Sequence, residues 1–402
     1  MKSIEFIFIS ETSIVGGIET LMVRMANGAH RDGRNVTVFC PAGPLVSEFA
    51  PGIKWTEVRD GTALGIALMS FKLQKDTEHV SIWTSHPFML PDAYLLQRII
   101  WKKWGVPSNS ISGIFIPAQF LRQDFIGMIK NNIIMKIPPL GSIYFMSDAV
   151  KVSFVETFGN SFRKWPVKKL TINAEAKNSA WIPKTTDRLS IVSVGRLTSF
   201  KAYNFGAADI VQEIRDAGID CEWHIWGEGE DLDSARAHAK NTGVGDFLKF
   251  HGTLPYRELT SEICKHSVFV GMGTAALEAA ACGMPTVIAL VNSKHECAGY
   301  LYEAPSDSIG EAVSHEYRKN VFDLLSEFAT LSQEQQHMIG SRCRTAVSNR
   351  MNEEEGGIES DLRDGLSYPS STLTSFRMNT YTFALQIWRS FTRNRRSNRN
   401  FR

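Results

Sequence analysis

The sequence predicts an α/β protein of two Rossmann-like domains, each built on a doubly wound parallel sheet. Short apolar runs alternate with helix-length segments along both halves, the pattern of parallel strands covered on two faces. Glycine turns sit where strands give way to helices. A chain of 402 residues is too long for one ordinary core and suits two.

The first strand is expected within residues 3–10, on SIEFIFI. Behind Gly16 and Gly17, the residues Ile18, Leu21, Met22 and Met25 recur at helical spacing, and Gly33 closes that helix before a strand over 35–40. Further strands are expected over 80–85, 112–117, 141–147 and 168–173. The polar stretch 174–188, which contains Pro183, reads as a linker. The alternation then repeats, with strands over 189–196, 221–229, 247–252 and SVFVGMG, and helices over 203–218, after Asp231 and over 256–266. These elements place a first domain at 1–178, a second at 186–348, a polar loop at 349–375 and an amphipathic helix with a basic tail at 376–402.

A composition 43% hydrophobic and 21% charged is that of a globular enzyme. The six cysteines show no paired or metal-ligand spacing, which points to a reducing, cytoplasmic compartment. The apolar run at 3–9 is short, holds Glu5 and lacks a cleavage site, so it reads as a strand and not a signal peptide. No apolar run is long enough to span a bilayer. Charge is unevenly spread: residues 1–180 hold 20 Lys+Arg against 14 Asp+Glu, residues 181–375 hold 17 against 28, and residues 376–402 hold 7 against none. Different surfaces are therefore expected to meet different partners.

The stretch VGMGTAALEAAACGMPTV, residues 270–287, reads as strand, glycine turn, helix and strand. The strand is expected to end at Val270; Gly271, Met272 and Gly273 form the turn, Thr274 is placed to cap the helix, and Gly283 and Pro285 stop it. The N–H groups at such a helix start form an anion site. Glu278, about one turn deeper on the same face, is placed to accept hydroxyls of a ribose. In SVGRLTSFKAYN, Arg196 and Lys201 follow a strand end, where both can reach one diphosphate. Phosphate and ribose together describe a nucleotide.

Gly195-Arg196-Leu197 with Lys201, then WHIWGEGED, LKFHGTL and ALEAAACGMP, in that order and at those intervals, resembles the C-terminal domain of retaining glycosyltransferases of family 4, which have the GT-B fold. The segment GGIETLMVRMANGAHRDGRNVTVF resembles the glycine loop, helix and second strand of their N-terminal domain. The resemblance implies two Rossmann-like domains facing across a cleft: an acceptor-side domain first and a nucleotide-sugar domain second. It assigns Arg196 and Lys201 to the donor diphosphate, Glu278 to the ribose, and Gly16 and Gly17 to the cleft. It also implies a UDP- or GDP-sugar donor, a sugar or lipid-linked glycan acceptor, and no cofactor or metal. Two departures stand out. The first glutamate of the family's spaced pair falls at Val270, and Ala202 stands where glycine commonly follows the lysine.

His86, in WTSHP at a strand end, is a candidate for contact with the transferred sugar or acceptor, which makes His86, Arg196 and Lys201 the candidate catalytic set. Met272, Gly273 and Thr274 join the donor-binding set. Asp231 and Asp233 read as helix-start residues and not as a metal pair. The segments LLQRIIWKKWG and RKWPVKK and the arginine tail mix aromatic and basic residues as surfaces on an anionic membrane do, so a peripheral place on the inner face of the cell membrane is expected. No nucleic-acid module accompanies them. A sugar-nucleotide epimerase on the same fold would need a pair of cleft carboxylates, of which no convincing one is found. A silent nucleotide-sugar-binding subunit is the remaining alternative, and Val270 motivates it.

Overall fold

The computed structural model describes residues 4–114, 143–167, 180–184, 188–305, 308–311 and 313–352. The described residues fall into two compact units, one built from residues up to 167 other than Val15–Gly17, the other from Val15–Gly17 and residues 180–352. The expected strand at 168–173, most of the linker, and the loop and basic tail beyond residue 352 lie outside the described residues.

In the first unit the strands β1 (Ile4–Ile9), β2 (Asn35–Cys40), β3 (Lys54–Glu57), β4 (His79–Thr84), β5 (Ser108–Ile114) and β6 (Ile143–Phe145) form one sheet in the order β3-β2-β1-β4-β5-β6. All its pairings are parallel. The chain runs from β1 outward to β3, then crosses to β4 on the other side of β1, so β1 and β4 flank the point where strand order reverses. Phe6, Ile7, Phe8 and Ile9 are all buried, which explains why β1 reads as a continuous apolar run. Helix α1 (Gly17–Arg31) buries Leu21, Met22 and Met25 as their spacing predicts. It ends at Gly33, whose left-handed φ of 75° lets its N–H reach the His30 carbonyl at 2.9 Å.

Helix α2 (Gly61–Ser70), which the sequence pattern did not signal, is capped where the Ala63 N–H donates to Asp60 Oδ1 at 2.8 Å. Helices α3 (Leu90–Trp104) and α4 (Asp148–Phe158) complete the described helices of this unit. Leu64 and Leu68 of α2 and Leu96 and Ile100 of α3 share a core with Ile7, Ile9 and Ile82 of the sheet.

The second unit holds β7 (Leu189–Val194), β8 (Cys221–Trp226), β9 (Leu248–Gly252), β10 (Val268–Gly271), β11 (Thr286–Ala289), β12 (Glu296–Tyr300) and β13 (Lys319–Asn320) in the order β13-β12-β11-β10-β7-β8-β9. From β9 to β11 the pairing is parallel, as predicted. β12 and β13 return antiparallel, a departure from the all-parallel expectation. The reason is the short connection after β11, turned at Asn292 with φ 60°, which has no room for the crossover that a parallel strand needs. The helices are α5 (Tyr203–Asp216), α6 (Leu232–Asn241), α7 (Leu259–Ile263), α8 (Thr274–Ala281), α9 (Val321–Thr330) and α10 (Gln333–Asn352). Strand order reverses at the neighbours β7 and β10, and open α/β sheets bind ligands at the carboxyl ends of such a pair.

Candidate active site

The connections leaving β7 and β10 carry the residues that the sequence singled out. Trp223 Nε1 donates to Ser193 Oγ at 2.9 Å, and Ser193 Oγ donates to the Val270 carbonyl at 2.6 Å. This buried chain pins β7 to β10 just below their ends.

After β7 the chain makes the loop Gly195-Arg196-Leu197, and the WGEGED segment after β8 holds it. Gly195 N–H donates to the Trp226 carbonyl at 2.9 Å, Leu197 N–H to Glu228 at 3.0 Å, and Asp231 N–H to Leu197 at 3.3 Å. A Cβ on Gly227 would stand 2.0 Å from the Gly195 carbonyl oxygen, so the two loops touch backbone to backbone. This explains why the glycines of GEG accompany the Arg-Leu pair. On the other side, the Asn292 N–H donates to the Phe200 carbonyl at 2.8 Å and steadies the approach to Lys201.

Arg196 is exposed and stands 3.7 Å from Glu230 Oε2, itself exposed. Such a pair contributes little and is easily exchanged for a better anion. Lys201 is different. Its ammonium folds back over Gly195, where an added Cβ would lie 2.6 Å from Nζ. Burial lowers its pKa first and the neighbouring Arg196 charge second, to about 8. Among the described residues no carboxylate pairs with Lys201. Two cations held close, one of them desolvated and without a counter-ion, form a site organised for an anion.

The β10 side is more compact than expected. Val270 lies inside the strand and is fully buried, and only Met272 and Gly273 separate β10 from α8. Val270, where the resemblance puts the family's first glutamate, is thus part of the sheet. The helix cap is also corrected. Gly273, with φ 75° and ψ −153°, is the N-cap, and Thr274 is the first helical residue with no side-chain cap bond. The Gly273 N–H is already committed to the Ile309 carbonyl at 2.7 Å. The N–H groups of Thr274, Ala275 and Ala276 take no backbone acceptor among the described residues, so these are the helix-start donors open to an anion. Asp231 likewise sits at the N-cap of α6 but makes no side-chain cap bond.

Glu278 is one turn inside α8 and 2% exposed. Its Oε1 accepts a hydrogen bond at 3.0 Å from the hydroxyl of Tyr256, a residue that sequence reasoning missed. Nothing at positions near 278 signals it, because Tyr256 arrives from a separate turn, Tyr256–Glu258, ahead of α7. A buried carboxylate bonded by a tyrosine hydroxyl has the chemistry to recognise neighbouring hydroxyls.

In the first unit, His86 follows β4, at the carboxyl end of a strand flanking the reversal point; Gly16, just ahead of α1, is grouped with the second unit. The His86 carbonyl accepts from the Met89 N–H at 2.9 Å and from Thr84 Oγ1 at 3.2 Å, and Ser85 N–H donates to the Ile9 carbonyl at 3.0 Å. The structure thus brings Arg196, Lys201, Met272, Gly273, Thr274 and Glu278 to one strand edge of the second unit, and sets His86 at the carboxyl edge of the first sheet.

Residues 188–317, which contain this entire strand edge of the second unit, match the family described as glycosyl transferases group 1. The second unit carries a glycosyltransferase group 1 domain. No curated protein matches the chain. Among solved structures, the chain is similar to HepE from Anabaena in complex with UDP and glucose, at 11% identity, covering 92% of this chain and 99% of that one with a TM-score of 0.59. It is similar to sucrose-phosphate synthase from Thermosynechococcus elongatus at 12% identity, 86% and 94% coverage and a TM-score of 0.61. It also resembles WaaG, a glycosyltransferase involved in lipopolysaccharide biosynthesis, at 11% identity, 92% and 100% coverage and a TM-score of 0.52. At these identities the likeness establishes the fold, which is GT-B: two parallel-sheet α/β domains.

Proposed function

We propose that the protein is a retaining glycosyltransferase that moves a sugar from a nucleoside diphosphate donor to a hydroxyl acceptor. The observation that carries this is the Lys201 ammonium, partly buried, close to Arg196 and without a carboxylate partner among the described residues, on the connection that leaves β7, the strand beside β10 and the N-terminus of α8. A diphosphate satisfies both cations and the three free N–H groups, and the ribose hydroxyls fall to Glu278. As the bond from sugar to diphosphate breaks, negative charge grows on the leaving oxygen. Donors already in place stabilise it without reorganising, at roughly 3 kcal/mol each. In this reading the acceptor attacks on the face that the diphosphate leaves.

HepE was solved with UDP and WaaG acts in lipopolysaccharide synthesis. The first likeness supports a UDP-sugar donor and the second a role in cell-surface polysaccharide assembly; we further propose a place at the inner face of the membrane and a reaction that uses no metal or cofactor. One observation favours a second reading, a silent nucleotide-sugar-binding subunit: the two-residue connection after β10 carries no carboxylate toward the transferred sugar. Thermal-shift titration with UDP and GDP tests the binding claim, since a ligand of the native state alone raises the unfolding temperature. Donor hydrolysis without acceptor then separates the two readings. Binding with slow release of free sugar supports the enzyme; binding with no turnover under any acceptor supports the silent subunit.

A further inference from the structure

A helix that is apolar on every side is found where something covers it. α2, with the sequence GTALGIALMS, carries no ionisable side chain. Its inner stripe, Leu64 and Leu68, is buried with Phe71 in the core, whereas Ile66 and Met69 on its outer side are 60% and 58% exposed. The neighbouring helix extends that surface. Trp101 and Trp104, on the last turn of α3, are 50% and 38% exposed. The helices join where Lys103 Nζ donates to the Met69 carbonyl at 2.9 Å and the Trp104 ring stands edge-on to Phe71 at 6.2 Å. Lys102 and Lys103 are exposed within this surface, Arg98 lies one turn back, and Lys72 follows α2. The loop beyond balances Lys75 against Asp76 and Glu78.

We infer that this surface docks the protein on an anionic lipid bilayer. Indole rings settle at the headgroup level, the apolar pair Ile66 and Met69 enters the acyl boundary, and lysine ammoniums reach phosphates while their stems lie along the apolar surface. A second copy of the chain is the weaker occupant, because a two-fold contact would set Lys102 and Lys103 against their own counterparts with no acid in the patch to offset them. Both helices return from the carboxyl ends of the strands, so docking at their last turns leaves the opposite sheet edge, with His86, open. The inference deepens the proposed function by naming the surface that would hold the protein at the bilayer. It rests on that reading for its purpose only.

Sedimentation of the full chain with phosphatidylcholine vesicles, with and without phosphatidylglycerol, tests it. The intact chain is expected to bind the anionic vesicles and to lose that binding at high salt. The triple variant Ile66→Ser, Met69→Ser, Trp101→Ser alters only exposed positions and should bind about tenfold more weakly or worse. The same loss should persist in a chain cut after Ser390, which removes five arginines of the tail. Equal sedimentation of the triple variant and the intact chain overturns the inference, as does concentration-dependent dimerisation that the triple variant abolishes. The UDP-induced thermal shift is read on the same samples. If vesicle binding depends on the patch while UDP gives no shift in any chain, the glycosyltransferase reading fails and the docking surface stands.

Discussion

Lys201 Nζ occupies the space that a side chain on Gly195 would fill, with 2.6 Å between the ammonium nitrogen and the position of a Cβ. The glycine at the end of β7 therefore makes room for the cation that the site presents to an anion. Gly195→Ala should displace the ammonium and weaken UDP binding, while Lys201→Ala or Arg196→Ala should cost about ten- to hundredfold in affinity for UDP and little for uridine, since the lost bonds are charge-assisted bonds to phosphate. Isothermal titration with both ligands checks this. Equal losses for nucleotide and nucleoside would remove the diphosphate assignment.

The lowered pKa of Lys201, to about 8, gives diphosphate binding a pH dependence. Below pH 8 the ammonium is charged and ready. Above it the free protein loses the proton, and binding must first restore it, so the UDP affinity should fall by up to about tenfold for each pH unit above 8. Lys201→Arg should flatten the profile, because guanidinium stays charged throughout this range. A wild-type affinity constant from pH 7 to pH 10 would mean that the ammonium does not contact the ligand.

Glu278 and Tyr256 make a linked pair, and their variants should behave differently. Glu278→Gln keeps the shape of the site but loses the charge that ribose hydroxyls bond to, so UDP affinity should drop about tenfold while the preference over the 2′,3′-dideoxy nucleotide disappears. Tyr256→Phe removes one donor and leaves the carboxylate's acceptor sites, for a smaller expected loss of about three- to tenfold with the preference intact. Calorimetric unfolding should place both variants near wild type. Retention of the full ribose preference in Glu278→Gln would refute the ribose role.

The parallel parts of both sheets are legible in the sequence because β1, β4, β7, β10 and β11 are largely buried and read as apolar runs between helices. β5 was placed four residues late, at 112 and not at Ser108, because Ser108, Asn109, Ser110 and Ser112 do not look like a buried strand. They are buried because each is bonded: Ser81 Oγ donates to Asn109 Oδ1 at 2.9 Å, Ser110 Oγ to Gln97 Oε1 at 3.2 Å, Ser112 Oγ to the Thr84 carbonyl at 3.2 Å, and Gln97 Nε2 to the Ser108 carbonyl at 2.8 Å. Polar satisfaction across strands cannot be read from one segment. The same holds at the site. Spacing put Glu278 one turn inside α8, but its bond to Tyr256 depends on a contact 22 residues away in sequence. Thr274 looked like the cap because threonine is a good one, whereas the short link after β10 gives that position to a glycine with positive φ.

The second unit also contains a histidine cluster that bears on stability and not on the site. His224 Nδ1 lies 2.9 Å from His251 Nε2, the His224 ring is 4.5 Å from that of His266, and His266 Nδ1 is 2.9 Å from Ser190 Oγ. His266 is 5% exposed, and burial first, then the charge on His224, lowers its pKa from 6.5 to about 3. A base whose folded pKa is depressed is neutral in the native state and takes up its proton on unfolding. Native stability is therefore unaffected by this group above pH 6.5 and falls as the pH drops from 6.5 toward 3, by about 2 kcal/mol at pH 5. Urea unfolding between pH 5 and pH 7.5 should show that slope. His266→Asn, which keeps a partner for Ser190 but cannot take up the proton, should remove most of it while lowering stability at neutral pH only modestly. A variant that retains the wild-type slope would place the proton uptake on other groups.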